Sequence, residues 1–381
     1  MARRRVSKVS SRGQRGRIRY AVVGLGHIAQ AAVLPAFRHA RNSELVALVS
    51  DNARKLAVLR KRYRVKHVCG YDDFDALLES GEIDAVYIAL PNHLHREFTV
   101  RAARAGVHIL CEKPMAVTAR DAEAMIRETR AHNVKLMIAY RLHFERANLE
   151  AVKLARSGRL GELRFFSSDF SMQVSEDNIR LERRKGGGPA YDIGVYCINA
   201  ARYLIGEEPV AVWATATRSS DPRFKEVDET MIGAMRFKDE RLASFTCSFG
   251  AADRSTFTLT GTKGSITLDP AYEYAQGLAY VLKVGESERK KRFSKSDQFA
   301  PELVYFSDCI RRNRDPEPSG EEGLADVRII EAMLRSQRTG RWVSLPKAKA
   351  PRKRRPTLRQ EKRRPAVPRE PPLVQAESAS Q

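Results

Sequence analysis

The sequence is short of several things. Its five cysteines, Cys69, Cys111, Cys197, Cys247 and Cys309, are odd in number, scattered and never in a Cys-x-x-Cys pair. That spacing suggests neither a disulfide framework nor a zinc site, and no metal is expected. No apolar run is long enough to span a bilayer. The basic start has no apolar stretch behind it, so a secretory signal is not expected. The default compartment is the reducing cytoplasm.

Acid is scarce at both ends. Residues 1–19 hold eight Arg or Lys and no Asp or Glu, and residues 347–381 hold eleven against three Glu. Most of the net charge of +22 therefore sits in two tails, and blocks of like charge mark disordered arms. The rear tail also carries Pro351, Pro356, Pro365, Pro368, Pro371 and Pro372, too little apolar surface to offset the entropy of ordering. Residues 1–17 and 347–381 are expected to be disordered and dispensable for chemistry. Nucleic acid enters only as a weak tail contact, since neither aromatic interleaving nor zinc-finger spacing supports more.

A chain of 381 residues suggests two domains. From Ile18 to Tyr140, short β-branched runs at Ile18–Val23, Leu45–Ser50, Ala85–Leu90, His108–Cys111 and Leu136–Ala139 alternate with helical patterns. The helical stretches include Ala53–Tyr63, Phe74–Glu79, His95–Ala105 and Ala119–Ala131. This is the pattern of a parallel sheet covered on both faces, a doubly wound α/β (Rossmann) domain over 18–142. After Arg141 alternating segments follow one another at Leu163–Ser171, Val210–Thr217, Thr230–Phe237, Leu242–Phe249 and Ser255–Thr260. They predict an α+β domain over 143–346 with a large, mostly antiparallel sheet, helices interrupting at Ala147–Arg156, Tyr191–Leu204, Pro301–Arg311 and Glu322–Arg338. The strand Ala243–Phe249 calls for a second apolar cover, which suggests a homodimer or homotetramer.

Gly24-Leu-Gly26-His27-Ile28-Ala29 directly follows the first strand and opens a helix. The first glycine permits a tight turn, the second lets the backbone approach a pyrophosphate, and the small Ala29 allows close helix–strand packing. A helix N-terminus offers free N–H groups to phosphates. At the end of the second strand, Asp51 suits a ribose hydroxyl and NAD, whereas Ser50 with Lys55 suits a 2′-phosphate and NADP. The pair slightly favours NADP over NAD.

Two further features carry chemistry. Glu112-Lys113-Pro114 ends a strand, where an open α/β sheet faces its ligand crevice. Gly186-Gly187-Gly188 leads into a helix on which Asp192, Tyr196 and Asn199 are spaced to share one face. The glycines are expected to let the chain approach a ligand.

These pieces, with Leu90-Pro91-Asn92-His93-Leu94-His95 and Tyr140-Arg141, resemble the glucose–fructose oxidoreductase/inositol dehydrogenase (Gfo/Idh/MocA) superfamily over roughly 18–346. Many members have His where this chain has Tyr196, and Asp where it has Asn199. The Tyr form is similar to the glucose–fructose oxidoreductase type. The resemblance implies an NAD(P)-dependent oxidoreductase acting on a sugar or polyol. Lys113 and Tyr196 would be the catalytic pair with Asp192 in support, and these three with Asn199 would meet the substrate. Gly24, Gly26, His27, Ile28, Ser50, Asp51, Lys55, Tyr71, Leu90, Asn92, His95, Glu112, Lys113 and Arg141 would contact the cofactor. A free tyrosine ionises near pH ~10, and an ammonium beside it favours the phenolate. Three other readings compete: a non-catalytic dinucleotide or sugar sensor, an NAD-dependent glycosidase, and a nucleic-acid-binding protein using the tails.

Overall fold

The computed structural model describes residues 16–346, 371–376 and 378. Two sheets form. The first has six strands: β1 (Ile18–Val23), β2 (Ser43–Val49), β3 (His67–Cys69), β4 (Ala85–Ile88), β5 (His108–Cys111) and β6 (Leu136–Ile138). Their order is β3-β2-β1-β4-β5-β6 and every pairing is parallel. The strand order reverses at β1/β4, which places the crevice of a doubly wound sheet at the carboxyl ends of those strands.

Two of the connecting helices begin with side-chain caps. After β1 a π-turn (Ala29–Val33) runs into α1 (Leu34–Ala36). The Asn52 side chain accepts from Lys55 N and starts α2 (Ala53–Tyr63). Helices α3 (Phe74–Glu79) and α4 (His95–Arg104) follow, and the Thr118 side chain accepts from Asp121 N and starts α5 (Ala119–Ala131). Such caps satisfy N–H groups that a helix end leaves open.

The second half of the chain opens with α6 (Arg146–Arg156) and builds a nine-stranded sheet. Its strands are β7 (Leu163–Gln173), β8 (Ala211–Thr217), β9 (Thr230–Arg236), β10 (Leu242–Ser248), β11 (Gly250–Gly261), β12 (Gly264–Leu268), β13 (Ala279–Val284), β14 (Ser287–Arg292) and β15 (Val343–Ser344). The order is β14-β13-β12-β11-β7-β10-β9-β8-β15. β10 runs parallel to β7, and the other pairings are antiparallel. The inner face packs on α7 (Val195–Ile205) and α9 (Gly320–Thr339).

One expectation is corrected here. Ala243, Phe245, Cys247 and Phe249 are buried within the single chain, because alternate residues of β10 point to the inner face under the helices. The outward set on the neighbouring strands is different: Phe165, Ile232 and Leu242 stand 48%, 45% and 47% exposed.

A helix from the second half crosses back. α8 (Phe299–Arg311) lays Phe299, Leu303 and Phe306 on the first sheet against Tyr20, Tyr87 and Leu110. The Tyr20 hydroxyl lies 2.8 Å from Ser307 Oγ, and Asn42 Nδ2 donates to Val304 O at 3.0 Å. The crevice is thus walled by both halves of the chain.

The tail expectation falls on residues 1–15 and 347–370, which lie outside the described residues, and on 371–376, which do not. Pro371–Ala376 lies against the π-turn Ala29–Val33 and α2, with Val374 packed on the core of the first sheet. An uncharged Pro-Pro-Leu-Val stretch within the basic tail carries enough apolar surface to seat.

Candidate active site

The Gly24 turn is built for close approach. Gly24 has φ +89° and donates to Val49 O at 3.0 Å. A Cβ there would stand 2.4 Å from Ala89 O, whereas one on Gly26 would meet nothing within 4 Å. The first glycine is required by the protein's own backbone; the second leaves a bare, open face above the first turn of helix, which fits a pyrophosphate. Gly24→Ala is expected to destabilise the fold and abolish dinucleotide binding, since an L-residue at positive φ costs about 1–2 kcal/mol before the clash is counted. A thermal-shift titration with NADP checks this; unchanged melting and binding would contradict it.

At the end of β2, Ser50 is buried and its Oγ accepts from Asn52 N at 3.2 Å. Asp51 is exposed, and its Oδ1 accepts from Tyr71 N at 2.7 Å. Lys55 stands in the first turn of α2, and partial burial lowers its pKa. Tyr71 packs edge-on against Phe98 at 5.4 Å. Ser50, Asp51, Lys55 and Tyr71 therefore cluster where an adenosine ribose would lie.

Lys113 follows β5 and points across the crevice. Its Nζ donates to Asp192 O at 2.8 Å and to Asp192 Oδ1 at 3.4 Å. It also stands 4.6 Å from the centroid of the Tyr196 ring. Arg141 approaches the same ring at 5.2 Å and that of Tyr274 at 5.3 Å. Arg180 Nε donates to the other oxygen of Asp192 at 2.7 Å. Burial works against the Lys113 charge, but Tyr196, Asp192 and Glu112 outweigh it and hold the ammonium above the ordinary lysine range. Burial likewise opposes the Asp192 carboxylate, yet Arg180 and Lys113 keep it below its usual range. Glu112 goes the other way, raised by burial, with its Oε1 accepting from Tyr87 OH at 2.7 Å.

His27 joins the two motifs. Its Nε2 lies 3.1 Å from Tyr274 OH, and Tyr274 lies under Arg141, which faces Tyr196. Ile28 caps the π-turn beside it.

Four expectations change. Asp192 sits in a π-turn (Ala190–Gly194) ahead of α7, and such insertions often mark functional sites. Asp192 and Tyr196 both meet Lys113, whereas Asn199 lines a cavity with Tyr196 on the side of His143. It is buried, 2.8 Å from His143 Nε2, and donates to Asp326 Oδ2 at 2.8 Å. His95 is fully buried, each ring nitrogen 2.9 Å from a carbonyl oxygen, Pro114 O or Leu90 O. It ties together the segments after β4 and β5. Two glycines of the run are required by close approach to protein, while Gly188 stands clear, with Val227 3.9 Å from where its Cβ would be. A Cβ on Gly186 would meet Val117 at 2.6 Å, and one on Gly187 would meet Arg180 O at 2.3 Å. Asn92 Nδ2 seals this junction by donating to Gly186 O at 2.8 Å, and Leu90 is buried beside the Gly24 turn. Sequence reasoning missed Arg180 and Tyr274; the arginine preceding the glycine run was the available signal for the first. Among the described residues no cluster of metal-ligating side chains occurs, and no helix is long and apolar enough to cross a membrane.

Residues 18–140 match the model of an oxidoreductase family with an NAD-binding Rossmann fold, GFO/IDH/MocA, and residues 148–267 match the GFO/IDH/MocA C-terminal domain. The chain belongs to this family of NAD(P)-dependent sugar oxidoreductases. It is 33% identical to the NADP(+)-dependent D-xylose 1-dehydrogenase of Haloarcula marismortui, over 86% of this chain and 93% of that protein. It is 29% identical to the 1,5-anhydro-D-fructose reductase of Ensifer adhaerens, over 84% of this chain and 97% of that one. Among solved structures it resembles an aldose–aldose oxidoreductase from Caulobacter crescentus complexed with glycerol, with TM-score 0.83 and 40% identity, covering 86% of this chain and all of that one.

Proposed function

We propose that the protein oxidises or reduces an aldose at the carbon bearing its hydroxyl or carbonyl, with NADP preferred over NAD, and that Tyr196 carries the proton. The observation that supports this most is the Tyr196 ring held between Lys113 and Arg141, in the crevice that the Gly24 turn opens. Lys113 stays protonated and is fixed by both oxygens it touches on Asp192, while Arg180 holds that carboxylate from its far side. When bound, the nicotinamide accepts or returns the hydride. The protein's share is the proton: Tyr196 Oη takes it from the sugar hydroxyl during oxidation and gives it back during reduction.

NADP preference rests on Ser50 and Lys55 together with the engagement of Asp51 by Tyr71 N. That hydrogen bond commits one oxygen of the acid that would otherwise hold a ribose hydroxyl. Lys55→Ala is expected to weaken NADP by roughly ten- to a hundredfold, as loss of a hydrogen bond to a charged group does, and to leave NAD nearly untouched. Calorimetry showing strong NAD preference in the unaltered protein would reverse this assignment and make Asp51 the ribose ligand.

The outward face of the large sheet presents Phe165, Ile232 and Leu242, and a second copy of the chain is its occupant in this reading. Sedimentation at micromolar concentration is expected to show a dimer or tetramer; monomer alone would refute it.

A further inference from the structure

Gln30 follows the glycine motif directly, is fully buried, and makes three hydrogen bonds that join separate parts of the chain. Its Nε2 donates to Leu25 O, inside the Gly24–Gly26 turn, at 2.8 Å and to Val374 O at 3.0 Å. Its Oε1 accepts from Val374 N at 2.8 Å. An amide nitrogen has two hydrogens, so both donations hold at once. One buried side chain thus bonds the turn that fits a pyrophosphate and, 344 residues later, the end of the chain.

The rest of the segment is anchored beside it. Arg62, at the end of α2, donates to Pro372 O at 2.8 Å, and the Val374 side chain packs on the core of the first sheet. Gln375 Oε1 accepts from Asn52 Nδ2 at 2.9 Å. Asn52 is the cap of α2 and borders Ser50 and Asp51. Residues 371–376 therefore bond both the π-turn after β1 and α2, and reach the edge where the adenosine ribose would lie. Without the segment one N–H and the carbonyl oxygen of Gln30 lose the backbone partners they have at Val374, so the turn and the segment favour each other's ordered state.

We propose that Pro371–Ala376 is a strap that completes the adenosine half of the dinucleotide site and slows cofactor release, with Gln30 as the positioning residue that couples strap to turn. The proposal rests on the dinucleotide assignment of the Gly24 turn. Linkage makes the effect reciprocal: a docked strap holds the turn in shape for the dinucleotide, and a bound dinucleotide protects the strap. The tail is then a working part of the cofactor site.

The test is NADPH release, followed by stopped-flow fluorescence in the full-length protein, in Val374→Asp, in Val374→Ile and in a chain stopped after Glu370. Val374→Asp and the shortened chain are expected to release NADPH about tenfold faster, within the range of ordinary coupling energies. Val374→Ile keeps the apolar seat and should release at the full-length rate. If Val374→Asp does not fold, the shortened chain gives the answer, and a peptide of residues 371–381 added to it should slow release again. Release from the shortened chain within about twofold of full length would overturn the strap, being smaller than such couplings. Slower release would also overturn it, the segment then competing with the cofactor. Failure of the full-length chain to bind NADPH at all would remove the dinucleotide assignment and the strap with it.

Discussion

Tyr196→Phe is expected to lower turnover on the best aldose by about 10²–10⁴, the usual loss when a positioned acid–base group is removed, while NADP affinity stays nearly constant. The substitution keeps the ring between Lys113 and Arg141 and deletes only the hydroxyl. Lys113→Met should be comparably severe, because the ammonium that faces the ring and is bonded to Asp192 is lost. The double variant should be little worse than either single one, since groups that act as a unit are not additive. Tyr196→His should keep part of the activity with a lower pH optimum, because an imidazole ionises some units below a phenol. Full turnover in Tyr196→Phe would move the proton to Asp192 or to water held by Lys113.

Asp326→Ala is expected to cost about 3–5 kcal/mol of stability, the range for breaking a buried ion pair from one side. Asp326 is fully buried on α9, ion-paired with Arg202 and hydrogen-bonded to Tyr140 and Asn199. Arg202 is 1% exposed and would retain Glu208 at 2.6 Å and Glu322 at 3.5 Å. Because Arg202 and Asn199 lie on α7 with Tyr196, the same change should loosen the tyrosine as well as the fold. Urea unfolding measures the loss; a shift under about 1 kcal/mol would place this network in the range of exposed pairs.

Much of the first sheet was legible because its strands are short apolar runs and two of its helices, α2 and α5, carry their own caps. β1, β5, α2, α3 and α5 fall on the predicted bounds. β3 escaped notice: it is three residues, His67–Cys69, with a single β-branched side chain. β14 escaped for a different reason. Ser287–Arg292 reads Ser-Glu-Arg-Lys-Lys-Arg at a sheet edge, where no apolar alternation is needed because one neighbour is water. α8 was visible as a helix, but nothing local says that Phe299 and Leu303 pack on a sheet laid down more than 150 residues earlier.

The site divides along the same line. Gly24, Gly26, Lys113, Asp192 and Tyr196 stand out because residue type, spacing and strand end coincide. Asn199 keeps its place on α7 and lines one cavity with Tyr196, but its amide donates to Asp326, a buried acid on α9 that no local pattern announces. His95 was noticed by type, while its two carbonyl partners come from separate loops. The tail segment was hidden by composition: six residues without charge lie inside a strongly basic, proline-rich arm, and their partners Gln30, Asn52 and Arg62 are about 300 residues away.

The most direct test of the chemistry is isotopic. Aldoses deuterated at C1, xylose and glucose first, are incubated with the protein and NADP⁺, and the reduced cofactor is weighed by mass spectrometry. Direct hydride transfer predicts NADPH one mass unit heavier, formed by the unaltered protein and scarcely by Tyr196→Phe. Unlabelled NADPH would move the oxidised carbon away from C1, and no reduced cofactor with any aldose or polyol would contradict a sugar oxidoreductase working through Tyr196 and Lys113.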